Sequence, residues 1–373
     1  MGNLYHIRGN EDINANMSFK EQEKEIKKFI QKQLNNKNLN FLIGSGCSLP
    51  GVGLMGETFM KLKETVLEGK ELGQYNGKNK DIEGYLNWLN TALLFFKDNQ
   101  DRKKYEEAFT IAKKGLIDSI QKSNINENEE KNEETIKNYK EFYSNIFSFR
   151  GTKDLSPLNI FTTNYDLYNE IALEKLGIYY TNGFIGNISR QFNPSTFRLR
   201  IVDDENRYKD KWSIVRKYVK LYKIHGSIDW VYDKDNNCIS QVDINSELKE
   251  TKNVMIYPTT NKHMETQQSP YSELFREFTN NLQKRNCTLI VMGYGFPDEH
   301  INQIISQGLN NDDFNLIIFA NKEEDNIKNF LDKHRYKKNL HIIGGNYNEE
   351  NDGHHFHVIN KYFKLGESND TRK

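Results

Sequence analysis

Residues Asn38–Gly53 read NLNFLIGSGCSLPGVG. An apolar run from Leu39 to Ile43 meets Gly44-Ser45-Gly46 with no polar transition, and the chain stays glycine-rich through Gly53. A short apolar run bounded by glycine fits a strand buried on both faces. The glycine turn after it has two readings. It is an ordinary tight turn, or it lets backbone approach something large and charged. In a nucleotide loop, glycines bring amides to a pyrophosphate, and a helix N-terminus attracts the anion. The stretch misses GxGxxG because Leu49 occupies the third glycine position, so alone it does not decide.

The rest of the chain supplies context. Ser18 to Leu34 reads as a charged amphipathic helix with Ser18 as cap. A helix is expected from about Gly56 to Glu68, and from Asp81 to Phe149 the pattern is helical, interrupted by the polar run NINENEEKNEE, which reads as a loop. After Pro157, short apolar runs alternate with helical segments: LNIFTTN, LYNEIALEKLG, YVKLYKIHG, NVMIYPTT, YSELFREFTNNLQ, TLIVMGYG, EHINQIISQGL, FNLIIFAN, EDNIKNFLDKH and NLHIIGG. Unbroken apolar strands separated by helices indicate a parallel sheet covered on both faces. The expected fold is therefore α/β: a Rossmann-like parallel sheet with helices on both faces, plus an inserted helical subdomain. The divisions are 1–36 as an N-terminal helical segment, 37–80 and 155–366 as the nucleotide-binding domain, 81–154 as the helical insertion and 367–373 as a polar tail.

Several strands end in residues that do not belong in a core. They run into Gly44-Ser45-Gly46, Thr162-Thr163-Asn164, His225-Gly226-Ser227, Gly293-Tyr294-Gly295 and Asn321. Ligands of open α/β sheets bind beyond the carboxyl ends of the strands, so a single site on that edge would leave this pattern. Each element also has a structural reading. Asn164 and Asp166 suit a helix cap, His225 a hydrogen-bonded turn, Asp298 and Asn321 further caps. Their coincidence on one edge favours a site.

Composition bounds the function. Lys+Arg and Asp+Glu number 52 each, which excludes a whole-chain electrostatic grip on nucleic acid or anionic membrane. The longest apolar runs, LIVM and LIIFA, are far too short to span a bilayer. The start MGNLYHIRGN has no signal-peptide core, and His6 stands where myristoylation requires Ser or Thr. Three scattered cysteines, Cys47, Cys238 and Cys287, form no CxxC, fit a reducing cytoplasm and exclude a cysteine zinc ribbon. The expected location is cytoplasmic.

In order and approximate spacing, GSGCS, TTNYD, HGS, GYG and a strand-terminal Asn resemble the sirtuin series, over segments from about Asn38 to Leu72 and Leu158 to Gly345. The chain departs from sirtuin deacylases in three ways. It lacks the paired zinc-binding cysteines, it has Thr163 where they have glutamine, and nothing near Leu49-Pro50 matches their Asp-Phe-Arg stretch. It is more similar to the sirtuin-like branch of bacterial anti-phage systems, which degrades NAD. The resemblance implies NAD as substrate, no metal, and cleavage of the nicotinamide–ribose bond to give nicotinamide and ADP-ribose. It places the pyrophosphate at Gly44, Ser45, Gly46 and Ser48, with Thr163 among the nucleotide contacts. Asn164 would position ribose and water, Asp166 the carboxamide, and His225 would be the catalytic histidine. Gly293, Tyr294, Gly295 and Asn321 would surround the adenosine half. It further implies a gated effector of defence by NAD depletion, a homo-oligomer, and a separate activator or sensor, a HerA-type ATPase first. The alternatives are an NAD-dependent protein deacylase and a non-catalytic module that senses NAD or ADP-ribose.

Three signals are set aside. GHHFH, with His354, His355 and His357, is read as a solvated turn rather than a metal site. Cys47 is read as a small residue packed under its loop rather than a reactive thiol. RYKDKWSIVRKYVKLYK mixes bases with aromatics, and is read as aromatics facing the core and lysines facing water rather than a nucleic-acid surface.

Overall fold

The computed structural model describes residues 2–65, 75, 82–96, 100–125, 129–150, 156–209, 211–233, 238–243, 253–255 and 269–365. The chain begins with β1 (Asn3–Arg8), β2 (Glu11–Asp12), α1 (Phe19–Gln33) and β3 (Asn38–Ile43). Helices α2 (Met55–Thr65), α3 (Ile82–Phe95), α4 (Gln100–Ile125) and α5 (Glu129–Arg150) separate β3 from β4 (Leu158–Thr162). Then come α6 (Tyr168–Lys175), β5 (Tyr179–Thr181), β6 (Phe184–Ile185), β7 (Arg190–Phe192), β8 (Val202–Tyr208) and β9 (Lys211–Ile214). The next strands are β10 (Tyr218–Lys223), β11 (Gly226–Asp233), β12 (Cys238–Gln241) and β13 (Asn253–Met255). The closing run alternates α7 (Tyr271–Leu282), β14 (Cys287–Met292), α8 (Glu299–Gly308), β15 (Asn315–Phe319), α9 (Asp325–His334), β16 (Leu340–Asn346) and α10 (Phe356–Phe363).

The nine-stranded main sheet has the order β2-β1-β16-β15-β14-β3-β4-β10-β5. From β16 to β5 every neighbouring pair is parallel. The quoted strand β3 is central, with Ile43 beside Met292 on one side and Thr162 on the other. Phe41, Leu42 and Ile43 are fully buried. Each such side chain stabilises the fold by roughly 1.5–3 kcal/mol, and the one polar residue of the run, Asn40, is buried and accepts from Asn159 Nδ2 at 2.9 Å. Two apolar layers cover the sheet. One gathers Ile26 and Ile30 of α1, Tyr139 and Phe142 of α5, Ala172 of α6 and Val358 of α10. The other gathers Leu274 and Phe278 of α7, Ile301 and Ile305 of α8 and Ile327 of α9. The Rossmann-like α/β architecture expected from the sequence is present.

The structure adds features that the sequence pattern hid. Residues 1–36 are more than a helical segment: α1 is there, with Ser18 N–H donating to Glu21 Oε2 at 2.9 Å, but β1 also joins the main sheet antiparallel to β16. A smaller antiparallel sheet, β13-β11-β12-β7-β6, takes β13, the run that had read as another parallel strand. Most of the polar run read as a loop is helix, since α4 reaches Ile125 and α5 starts at Glu129; residues 126–128 lie outside the described residues. So do the end of the expected 56–68 helix and the 367–373 tail. Within the helical insertion, α5 belongs to the main core, whereas α3 and α4 close a third apolar cluster with Phe59 of α2, Tyr165 and Ile228.

The basic and aromatic stretch around β9 and β10 meets the expectation in part, since Tyr218 and Tyr222 are buried. Trp212 is 41% exposed under the Arg207 guanidinium, and Lys223 is buried. The β8–β9 hairpin pairs only with itself among the described strands, so it offers Trp212 no core to enter. Cys47 is packed as expected, and burial pushes its thiol well up, away from reactivity. Among the described residues no helix is long and apolar enough to cross a membrane.

A candidate active-site cleft at the carboxyl edge of the sheet

The central strand β3 has β14 and its successors on one side and β4, β10 and β5 on the other. Chain order therefore diverges at β3, and the turns after β3, β4 and β14 open a crevice between them. A cleft lies there, lined among others by Ser45, Ser48, Thr163, Asn164, Asp166, His225, Tyr294, Gly295 and Asp298. Its empty volume is about 900 Å³ counted to the mouth.

Gly44, Gly46 and Gly293 sit behind this lining. The Gly46 amide donates to the Gly293 carbonyl at 2.9 Å, and the Gly44 amide to Met292 O at 2.9 Å. A side chain on Gly44 would run into the Gly293 carbonyl, and one on Gly293, at φ +62°, into Cys47 N at 2.5 Å. The glycines are thus required by the close crossing of the β3 and β14 turns, whatever binds in front of them. Of the Gly-Ser-Gly-Cys-Ser loop, Ser45 is exposed to the cleft, and Ser48 is buried beside it. The Ser48 hydroxyl donates to Asp166 Oδ2 at 2.7 Å. Its proton is thereby engaged within the protein, which braces the β3 turn against the loop after β4.

The loop after β4 carries Thr163, Asn164 and Asp166. Asn164 is 5% exposed. Its Nδ2 donates to Gly44 O at 3.0 Å and Ser48 Oγ at 3.0 Å. A carbonyl can only accept, which fixes the amide orientation. Asn164 Oδ1 then has no hydrogen-bond donor, although it is buried. A buried acceptor in a cleft wall without a donor favours binding a ligand hydroxyl or a water. Asp166 accepts from Ser48 and, through Oδ1, from the Tyr168 amide at 3.2 Å. Burial raises its pKa, while Lys223, the Ser48 hydroxyl and the backbone oppose the shift.

Behind this loop is a group that sequence reasoning missed. Lys223, at the end of β10, has a side chain with no exposed surface. Its ammonium lies 3.2 Å from Glu170 Oε1 and donates to the carbonyls of Asp166 and, at 3.4 Å, Tyr165. Burial pushes Glu170 up to about 7, against the pull of Lys223. Lys223 thereby ties the strand that delivers His225 to the loop that delivers Asn164. The signal available in the sequence was the second of two lysines, Lys220 and Lys223, in the strand YVKLYKI.

His225 follows β10, is 4% exposed and lines the same cleft as Asn164. Its Nε2 is 4.0 Å from Asp298 Oδ2. Asp298, read from sequence as a cap for α8, occupies that position, but its carboxylate makes no side-chain cap bond. It accepts from the Tyr294 hydroxyl at 3.3 Å and faces the cleft. Asn321 is not among the cleft-lining residues. Its Oδ1 accepts from the Glu323 amide at 3.0 Å, and the cap position of α9 falls to Glu324. The far wall is also new: Leu116, Ser119 and Ile120 of α4 and Thr58 of α2 face His225 and Asn164 across the cleft.

Cys47, Cys238 and Cys287 sit in the turn after β3, in β12 and in β14, so they cannot assemble a four-thiolate metal site. No curated protein matches the chain. Residues 158–343, from β4 through most of β16, match the family model of the SIR2-like domain. The matched span carries Asn164, His225 and Asp298, whereas the β3 turn lies upstream of it. SIR2-like domains are typically NAD-dependent enzymes, so NAD-related activity is the general function indicated. The match, together with the parallel sheet and the cleft at its carboxyl edge, supports a sirtuin-like family for this chain.

Proposed function

We propose that the protein is an NAD hydrolase that cleaves the bond between nicotinamide and C1 of ribose. The observation that carries the reading is the pairing, in one cleft, of Asn164 with a buried acceptor lacking a donor and His225 with its ring in the same wall. Nicotinamide is already a cationic leaving group, so no acid is needed to expel it. The C1–N bond breaks with its electron pair going to nicotinamide, through an oxocarbenium-like state. Water adds at C1, and the proton released goes to a base. Asn164 Oδ1 holds a ribose hydroxyl or the water in line, an orientation effect. His225 takes the proton, since imidazole titrates near neutral pH. Ser45, exposed in the cleft, is the pyrophosphate contact in this reading, since the Gly44, Gly46 and Cys47 amides donate to backbone carbonyls.

A deacylase reading lacks the cysteine pairs of that branch, and a sensing module would leave NAD intact. Because free NADase activity would poison its own cell, the reading includes gating. The gated activity serves anti-phage defence by NAD depletion in the cytoplasm, through a homo-oligomer and a separate activator, with a HerA-type ATPase as the first partner to test. Incubation of the purified full chain with NAD, with and without the neighbouring gene's product, followed by chromatography, tests it. Nicotinamide and ADP-ribose in equal amounts support hydrolysis. Nicotinamide release that requires an acylated peptide supports the deacylase, and intact NAD under every condition supports the sensor.

A further inference from the structure

The structure assigns Asp298 as the charge partner of His225: a buried carboxylate 4.0 Å from Nε2 that stabilises the protonated imidazole. The assignment rests on the proposed function for its consequence in turnover, but its geometry stands independently. Asp298 is 3% exposed. At the first position before α8 its carboxylate would ordinarily turn back to cap the helix, and it does not. The side chain turns into the cleft, where Oδ2 lies 3.3 Å from the Tyr294 hydroxyl and 4.0 Å from His225 Nε2. The Asp298 amide donates to the same tyrosine oxygen at 3.3 Å, so tyrosine and aspartate hold each other.

Among the described residues, His300, Phe275, Asp166 and Lys223 do not supply that charge. On α8, His300 stacks with its ring centroid 6.1 Å from that of His225. From α7, Phe275 contributes an apolar ring with its centroid 6.5 Å away. Asp166 shares the cleft wall, with Ser48 and the Tyr168 amide on its oxygens and with burial favouring its neutral form. Lys223 is directed at Glu170 and two carbonyls. Among these described neighbours Asp298 is the carboxylate placed to pair with imidazolium. When His225 accepts a proton from water or a ribose hydroxyl, the new cation forms beside a fixed anion in a largely dry wall. A carboxylate at such range raises an imidazole midpoint by about 1–3 pH units.

The test reads His225 itself. In the full chain labelled with ¹³Cε1-histidine, the His225 resonance is identified by its loss in His225→Gln, then titrated in wild type and in Asp298→Asn. The expected result is a midpoint lower by about 1 unit or more in Asp298→Asn, with the wild-type value retained in Asp298→Glu. If Asp298→Asn fails to fold, Asp298→Ser replaces it, since serine also suits the start of a helix. A midpoint unchanged within about 0.3 units, or a His225 that does not titrate in wild type, overturns the assignment. The activity profile is the second readout: the acid limb of kcat/KM should move to lower pH by the same amount, with KM little changed. A shifted midpoint in a protein that consumes no NAD would leave the pair standing and remove the NADase reading. NAD consumption without the shift would do the reverse.

Discussion

A lysine ammonium with no exposed surface is unusual, and Lys223 shows why it is tolerated here. Its acceptors are Glu170 and two loop carbonyls, and burial holds Glu170 near 7. Because the folded pKa of Glu170 lies above its unfolded value of about 4.3, the folded state binds the extra proton between those values. That stabilisation is full below the unfolded value and is lost as pH rises toward about 7. Lys223→Met should therefore cost about 3 kcal/mol at pH 8, where the ionised Glu170 loses its cation, and clearly less at pH 6, where Glu170 is largely protonated. Urea unfolding at the two pH values measures it, and an equal loss at both would contradict the pairing. Asn164 and His225 were legible in the sequence because both stand at the ends of apolar strands, where polar residues are conspicuous. Lys223 and Asp298 were not. One looks like a solvated strand residue and the other like a helix cap, and only the fold reveals what their long or rotated side chains reach.

At the scale of elements, β1 shows what alternation conceals. NLYHIR carries polar and basic residues, yet His6 is 2% exposed and its Nε2 lies 3.0 Å from His341 Nδ1 on β16. Burial lowers His6 to about 4 and His341 to about 3, so the folded protein keeps both neutral where the unfolded chain would protonate them. Depressed histidines give stability that is full above about 6.5 and lost as pH falls through the folded values. Acidification from pH 7 to 5 should therefore cost roughly 2 kcal/mol or more, and His6→Leu with His341→Leu should flatten that slope. A chemical-denaturation series against pH checks this. The insertion presents the complementary case. Its helices were legible from periodicity, but that α4 would wall the cleft was not, since nothing in the pattern of Leu116, Ser119 and Ile120 points to a strand edge far away in sequence. Ser119→Trp should fill the cleft, raise KM and cut NAD turnover at least tenfold, equivalent to about 1.4 kcal/mol, without lowering thermal stability. Steady-state kinetics and a melting curve test it together.

For the whole molecule, the account joins one sheet, one carboxyl edge and one cleft. The parallel order of the strands followed from their unbroken apolar runs. The second sheet did not, because β13 looks like the parallel strands in composition and differs only in its pairing. Gating belongs to this scale as well: the isolated chain should hydrolyse NAD more slowly than the chain mixed with its neighbouring gene's product. The most direct test of the central claim is the time course of NAD loss for wild type, Asn164→Ala and His225→Ala in the presence of that product. The account predicts nicotinamide and ADP-ribose from wild type and a fall on the order of 10²–10⁴-fold in His225→Ala, with Asn164→Ala likewise impaired. Full rates in both variants would show that the cleft between Asn164 and His225 is not where the bond is broken.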